Sequence, residues 1–193
     1  MMLGRLRKWF HKASNPLINL LVRLKISPNM VTTSALFFLL PTIYFIITRN
    51  HVLASIFVLL TCVIDAVDGA VAKKVGSTRF GDYYDAVIDR LVEGTIYVAI
   101  SIGYPEYTTL IFIAFLFSYM VSYVAARAEV WTIGVKIKYL SVGSRAGRIG
   151  VLVVSMLFNQ LKLGLIIIII ISLIALVGRT FVTMVVLRKA RRW

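Results

Sequence analysis

The chain has 193 residues, 60% hydrophobic and 16% charged, with a mean hydropathy of +0.88. Soluble domains are roughly half apolar and a quarter charged, so this composition excludes an ordinary soluble domain and points to a membrane protein. Net charge is +14, from 22 Lys and Arg against 8 Asp and Glu. The cations flank apolar runs, which favours anionic lipid headgroups and phosphate-bearing substrates over nucleic acid as partners. The single cysteine, Cys62, cannot form an internal disulfide. Length and the lack of a Pro/Gly/Ser-rich linker indicate one domain, without internal repeats.

The N-terminal stretch is basic. Leu3, Leu6, Trp9 and Phe10 alternate with Arg5, Arg7, Lys8 and Lys12, and after Pro16 an apolar run from Leu17 to Leu24 carries Arg23. This reads as an amphipathic helix lying in the membrane interface over residues 1–27, cations towards lipid phosphates. Without an early apolar stretch or a small-residue cleavage site it does not read as a removed signal peptide. Ser27-Pro28 then stops this segment and starts the next, with proline suited to a first helical turn.

A spanning helix needs about 20 mostly apolar residues. Six segments are expected to span in an all-α, polytopic fold: Met30–Thr48, Val52–Val71, Gly81–Ile102, Thr108–Val130, Gly147–Leu161 and Gly164–Leu187. The third carries Asp82, Asp85, Asp89, Arg90 and Glu93 in its first half, and the fifth is short. With six spans, seventeen of the Lys and Arg fall on one side: the N-terminal arm, the loops 73–79 and 136–148, and the tail. The opposite loops hold Arg49 and Lys162 alone. The positive-inside rule places both termini and the two basic loops in the cytoplasm. Residues 28–193 thus form one six-helix transmembrane domain behind the interfacial segment.

Six of the eight acids lie between positions 65 and 93, near the cytoplasmic ends of spans two and three. Asp65 and Asp68 are three apart, and Asp85 and Asp89 four apart, so each pair sits within about 60° on one helical face. Antiparallel helices joined by a short loop would bring the pairs face to face. Close carboxylates repel and are costly in hydrocarbon. Bound divalent cations resolve that conflict, and carboxylate oxygens suit hard ions such as Mg²⁺ or Mn²⁺. Salt bridges to Lys73, Lys74, Arg79 and Arg90 would neutralise the charge but leave the paired spacing unexplained.

The stretch Asp65-Ala-Val-Asp68-Gly69, then Ala72-Lys73, Gly81, Asp85 and Asp89, resembles the defining motif of the CDP-alcohol phosphotransferase family. That motif runs D-x2-D-G-x2-A-R-x8-G-x3-D-x3-D. The chain departs from it twice, with Lys73 at the usual Arg and seven residues rather than eight before Gly81. The resemblance implies that Asp65, Asp68 and Asp85, joined in some members by Asp89, hold a metal pair, and that Asp89 is the general base. It implies a cytidine diphosphate pocket lined by Asp68, Gly69, Lys73, Thr78 and Gly81. Asn29 and Thr32 join it through a similar Ser-Pro-Asn-x-x-Thr element. A homodimer is implied by the same resemblance.

Ser122 to Glu129, including Arg127, and Ser144-Arg145-Ala-Gly-Arg148 are similar to the inositol-phosphate branch, which makes phosphatidylinositol or archaetidylinositol phosphate. Ser144 stands where that branch has Glu, and Arg127 stands near a usual Lys. Arg145 and Arg148, three apart, share a helical face and are expected to clamp a phosphate. Arg127 and Arg179, read as lying within spans four and six, are the further candidates for the acceptor's phosphate. The resemblance therefore implies transfer from a CDP-linked lipid to inositol 1-phosphate with release of CMP, in phospholipid biosynthesis. Alternatives within the class are glycerol 3-phosphate as acceptor, or CDP-inositol as donor to an inositol phosphate. From other classes, a divalent-cation transporter and a catalytically silent scaffold are the rivals.

Overall fold

The computed structural model describes residues 15–131 and 143–190. The basic arm with Leu3, Leu6, Trp9 and Phe10, residues 132–142, and residues 191–193 lie outside them. The described residues contain no strand, and those from 28 onwards form five long helices and one short one. These are α1 (Pro28–Ile47), α2 (His51–Val75), α3 (Arg79–Gly103), α4 (Thr108–Trp131), α5 (Arg145–Leu157) and α6 (Leu161–Ala190), with a 3-10 turn at Pro105–Tyr107 before α4.

Local chemistry sets four of the starts. Ser27, Asn50, Thr78 and Ser144 each place a side-chain oxygen on an amide three residues on, at 3.3, 3.1, 3.0 and 3.3 Å respectively. These bonds satisfy donors that the first turn leaves without an intrahelical acceptor. Pro28 adds a preset φ at the start of α1. At the other end of α2, Gly76 takes φ +95, a backbone that a Cβ would strain, and this releases the chain to turn into α3.

Four helices are long and apolar enough to cross a membrane: Pro28–Ile47, His51–Val75, Pro105–Trp131 and Leu161–Lys189. The other two expected spans form helices with reduced claims. At about 1.5 Å per residue, α5 with its 13 residues reaches roughly two-thirds of a hydrocarbon core. The 25 residues of α3 are long enough, but its first half is charged. Its acids recur every three or four positions and so occupy one face. Val87, Leu91, Val98 and Ile102 stand exposed elsewhere on the helix.

The helices close into a ring. Each packs on two others, in the order α1, α2, α5, α6, α4, α3 and back to α1. Ile46, Val58, Ile96, Ile100, Ile111, Met156, Leu165 and Ile168 fill the interior. Phe37, Leu40, Tyr44, Phe112 and Val177 lie exposed on the outside, an apolar surface suited to lipid rather than water. Small residues set helix spacing: a Cβ on Gly103 would stand 2.8 Å from the Ile46 carbonyl oxygen, so α1 and α3 meet backbone to backbone there. Ser55 of α2 donates to the Val153 carbonyl of α5 at 3.2 Å, one of the polar ties inside the ring.

Residues 15–23 are helical and dock beside the start of the ring. Ile18 is buried among Val31, Val67, Ala70 and Val71, whereas Leu17, Leu20 and Leu24 are exposed. Lys74 Nζ ties this segment to α2, donating to Asn19 Oδ1 at 2.6 Å and Asn15 Oδ1 at 3.2 Å.

Candidate active site

The last turns of α2 and the first turns of α3, joined by Gly76-Ser77-Thr78, both pack on α1 and face each other across the site. Helical spacing turns Asp65 and Asp68 to one side of α2 and Asp85 to the facing side of α3. One carboxylate oxygen from each of these three lies within 4.8 Å of the others. Asp68 is buried and oriented by α1, whose Thr32 Oγ1 donates to Asp68 Oδ2 at 2.7 Å. Asp85 Oδ1 is buried without a hydrogen-bond partner. Asp89 stands outside the group of three and is joined to it through a cation. Arg145 Nη1 lies 2.5 Å from Asp89 Oδ1 and 3.0 Å from Asp65 Oδ1.

Beside the carboxylates a cavity of about 590 Å³ opens between α1, α2 and α3. Its lining includes all seven positions expected around the nucleotide: Asn29, Thr32, Asp68, Gly69, Lys73, Thr78 and Gly81. A Cβ on Gly69 would meet nothing within 4 Å, so this stretch of α2 leaves its backbone open to an incoming group. At Gly81 a Cβ would come within 3.2 Å of Asn29 Oδ1 and of Thr78 Oγ1, so this glycine lets α3 approach α1 closely. Sequence reasoning gave no site role to Gly76, Ser77 or Asp82, which also line the cavity. Their signal was adjacency: they sit in or beside the short connection that the motif brackets.

The four arginines expected to share one phosphate are dispersed. Arg145, with a side chain 11% exposed, lies among the aspartates. Arg148 is 1% exposed and engaged at all three nitrogens. Its Nε and Nη2 donate to Glu93 Oε1 at 3.0 and 2.5 Å, and its Nη1 donates to the Gly143 carbonyl at 2.6 Å. The expected Arg145–Arg148 clamp is therefore corrected. A three-residue offset at the start of α5 suffices to aim one guanidinium at Asp65 and Asp89 and the other at Glu93. Arg127 is exposed at the end of α4 with its guanidinium 5.7 Å from the Trp131 ring centre, rather than buried within a span. Arg179 is half-buried and its Nη1 donates to the Val121 carbonyl at 3.2 Å, tying α6 to α4.

The family model for CDP-alcohol phosphatidyltransferase matches residues 25–190, nearly the whole chain and every residue of this site. The chain belongs to that family. Among its relatives, a protein of Aquifex aeolicus is 34% identical over 188 residues, 93% of each chain. The archaetidylinositol phosphate synthase of Pyrococcus horikoshii is 30% identical over 181 residues, 93% of this chain and 95% of that one. The fold matches a crystal structure of the phosphatidylinositol phosphate synthase of Mycobacterium tuberculosis with CDP-DAG bound. That match has a TM-score of 0.76 and 20% identity, over 89% of this chain and 94% of that one.

Membership makes the protein a transferase of phospholipid biosynthesis carried on membrane helices, and nothing in the fold favours the cation-transport alternative. The family's divalent-metal chemistry fits the residues present. Three converging carboxylates, one with a buried oxygen that lacks a hydrogen-bond partner, supply the hard oxygen donors such an ion requires. Thr32 is the outer support that keeps one of those donors oriented. Glu93, counted among the acids but given no role from the sequence, is 2% exposed and holds Arg148. Only its three- and four-residue offsets from Arg90 and Asp89 pointed to it.

Proposed function

We propose that the protein transfers the phospholipid group of a CDP-linked lipid to a hydroxyl of inositol 1-phosphate and releases CMP. The observation that carries this reading is the cavity: the seven residues expected around the nucleotide line one space, and Asp68 and Asp85 belong both to its wall and to the site's carboxylates. The name of the Pyrococcus relative, matched over nearly its full length, supports the inositol-phosphate acceptor.

In this reading Asn29, Thr32, Gly69, Lys73, Thr78 and Gly81 hold the cytidine diphosphate, with Gly69 admitting the phosphates close to the α2 backbone. Asp65, Asp68 and Asp85, with Asp89 at the edge, would hold Mg²⁺ or Mn²⁺, as a metal pair. Such ions, when bound, would supply Lewis acidity for the phosphoryl oxygens and for the CMP leaving group. Asp89 takes the proton of the acceptor hydroxyl as its oxygen bonds to the lipid-bearing phosphorus and the bond from that phosphorus to the CMP oxygen breaks. Arg145, beside Asp89, orients the acceptor's phosphate, with Arg179 as the second cation. Arg148, committed to Glu93, is withdrawn from that role, and Arg127 contributes only from the outer edge.

The reading extends to the whole chain. Residues 1–27 lie in the interface and residues 28–193 cross the membrane six times. Both termini and the site face the cytoplasm, and two copies associate. The deciding experiment is CMP release by purified protein given CDP-lipid and either inositol 1-phosphate or glycerol 3-phosphate. Release with inositol 1-phosphate is expected. Release with glycerol 3-phosphate alone would overturn the acceptor, and release with neither, with metal present, would overturn the reaction.

A further inference from the structure

Both oxygens of Asp89 face an arginine. Oδ1 meets Arg145 Nη1 at 2.5 Å, and Oδ2 lies 3.9 Å from Arg90 Nη2. Neither arginine is anchored by Asp89 alone. Arg90 Nη1 also bonds Glu93 Oε2 at 3.2 Å, and the same nitrogen donates to Ser122 Oγ of α4. Arg145 opens α5, and three residues on Arg148 fastens that helix to Glu93 Oε1. One buried carboxylate, with its two oxygens divided between Arg90 and Arg148, thus holds one of the cations that frame Asp89 directly and bears on the other, Arg145, through the helix that Arg148 fastens.

The burial adds weight. Glu93 and Arg148 are 2% and 1% exposed, deep in a helical ring where an ion pair is costly to desolvate and an apolar pair of similar volume would do as well for stability. An apolar pair would leave Arg90 with Ser122 alone to hold it on the side away from Asp89. The pair also sits at the crossing of three elements, since Glu93 comes from α3, Arg148 from α5, and the Ser122 that meets Arg90 from α4. We infer that Glu93 is a positioning residue for the transfer step: it sets the two arginines that hold the Asp89 carboxylate in register with the acceptor, without touching substrate itself. This rests on Asp89 being the base.

The single variant Glu93→Gln leaves the Arg148 charge buried without its partner and is prone to misfold, so the test uses Glu93→Gln/Arg148→Gln, which removes both charges and keeps two amides able to bond each other. Three readouts are taken: thermal unfolding in detergent, Mn²⁺ binding by electron paramagnetic resonance, and steady-state CMP release. The expected result is a folded protein that binds Mn²⁺ like the wild type. Its KM for CDP-lipid changes less than about twofold and its kcat falls about tenfold or more. A folded double variant with wild-type kcat overturns the inference.

Arg90→Lys is the second variant. Its side chain is 30% exposed, and lysine keeps the charge but lacks the fork that reaches Glu93, Ser122 and Asp89 together. It is expected to show the same fall in kcat with Mn²⁺ binding retained; unchanged kcat there overturns the inference even if the double variant does not fold. Asp89→Asn serves as the separate control for the base. Full activity in Asp89→Asn defeats the assignment of the base, whereas loss in Asp89→Asn with full activity in Arg90→Lys defeats only the role of Glu93.

Discussion

Asp68 shows how one side chain serves two neighbours. Its carboxylate belongs to the group of three, lines the nucleotide cavity, and accepts a short hydrogen bond from Thr32. Thr32→Val keeps the shape and removes the bond, and loss of an outer support of this kind lowers metal affinity about 10- to 100-fold. Mn²⁺ titration followed by electron paramagnetic resonance is expected to show that weakening, with the melting temperature little changed. Asp89→Asn keeps the size and removes the basic oxygen. It is expected to lower kcat for CMP release by about 10²- to 10⁴-fold, the usual range for a general base. Chelation with EDTA is expected to stop CMP release and added Mg²⁺ or Mn²⁺ to restore it; activity that survives exhaustive chelation would remove the metal from the mechanism.

Between elements, the decisive contacts are a close approach and a buried pair. At Gly103 the backbones of α1 and α3 meet, and the Cβ of Gly103→Ala would intrude on the Ile46 carbonyl. Overpacking of this sort costs about 1–3 kcal/mol, so the melting temperature in detergent is expected to fall while the residues of the cavity, at the other end of α3, keep their arrangement. Breaking a buried ion pair from one side is costlier, about 3–5 kcal/mol. Arg148→Ala is therefore expected to destabilise the protein more than Gly103→Ala in the same unfolding assay. The short α5 explains why this pair matters. Its 13 residues bury Ile149, Leu152 and Met156 in the core, and the Arg148–Glu93 bond adds a specific polar constraint on its rotation.

For the whole molecule, apolar side chains cover the outside as well as fill the interior, while Asp85, Asp89 and Glu93 of α3 turn inward, a surface suited to lipid rather than water. The cations sort with it: Lys73 and Lys74 close α2 near the carboxylates, and Lys162 opens α6 at the end where Arg49 and Glu106 pair at 2.9 Å. In a Cys62→Ala background, Lys74→Cys is expected to react with a membrane-impermeant thiol reagent only from the cytoplasmic side, and Lys162→Cys only from the opposite side. Labelling of both from one side would overturn the orientation.

Periodicity made much of this legible. Offsets of three and four residues put Asp65, Asp68 and Asp85 on facing sides of two consecutive helices, and the motif spanning them marked Asp68, Gly69, Lys73, Thr78 and Gly81 in the cavity wall, because these relations are local to one helix pair and its connection. Asn29 and Thr32 were marked by a separate element at the start of α1. Composition alone determined that the protein belongs in a membrane. What the tertiary structure decided lies across helices. Thr32 reaches Asp68 over 36 positions, and Arg145 and Arg148 part company towards Asp89 and Glu93, which are 56 and 55 positions away. Spacing specifies an angle around one helix axis; the partner a side chain meets depends on how that helix is rotated and how deep it sits against its neighbours. The sequence therefore determined that arginines stand near the aspartates, and only the packing of α5 decided which one reaches them.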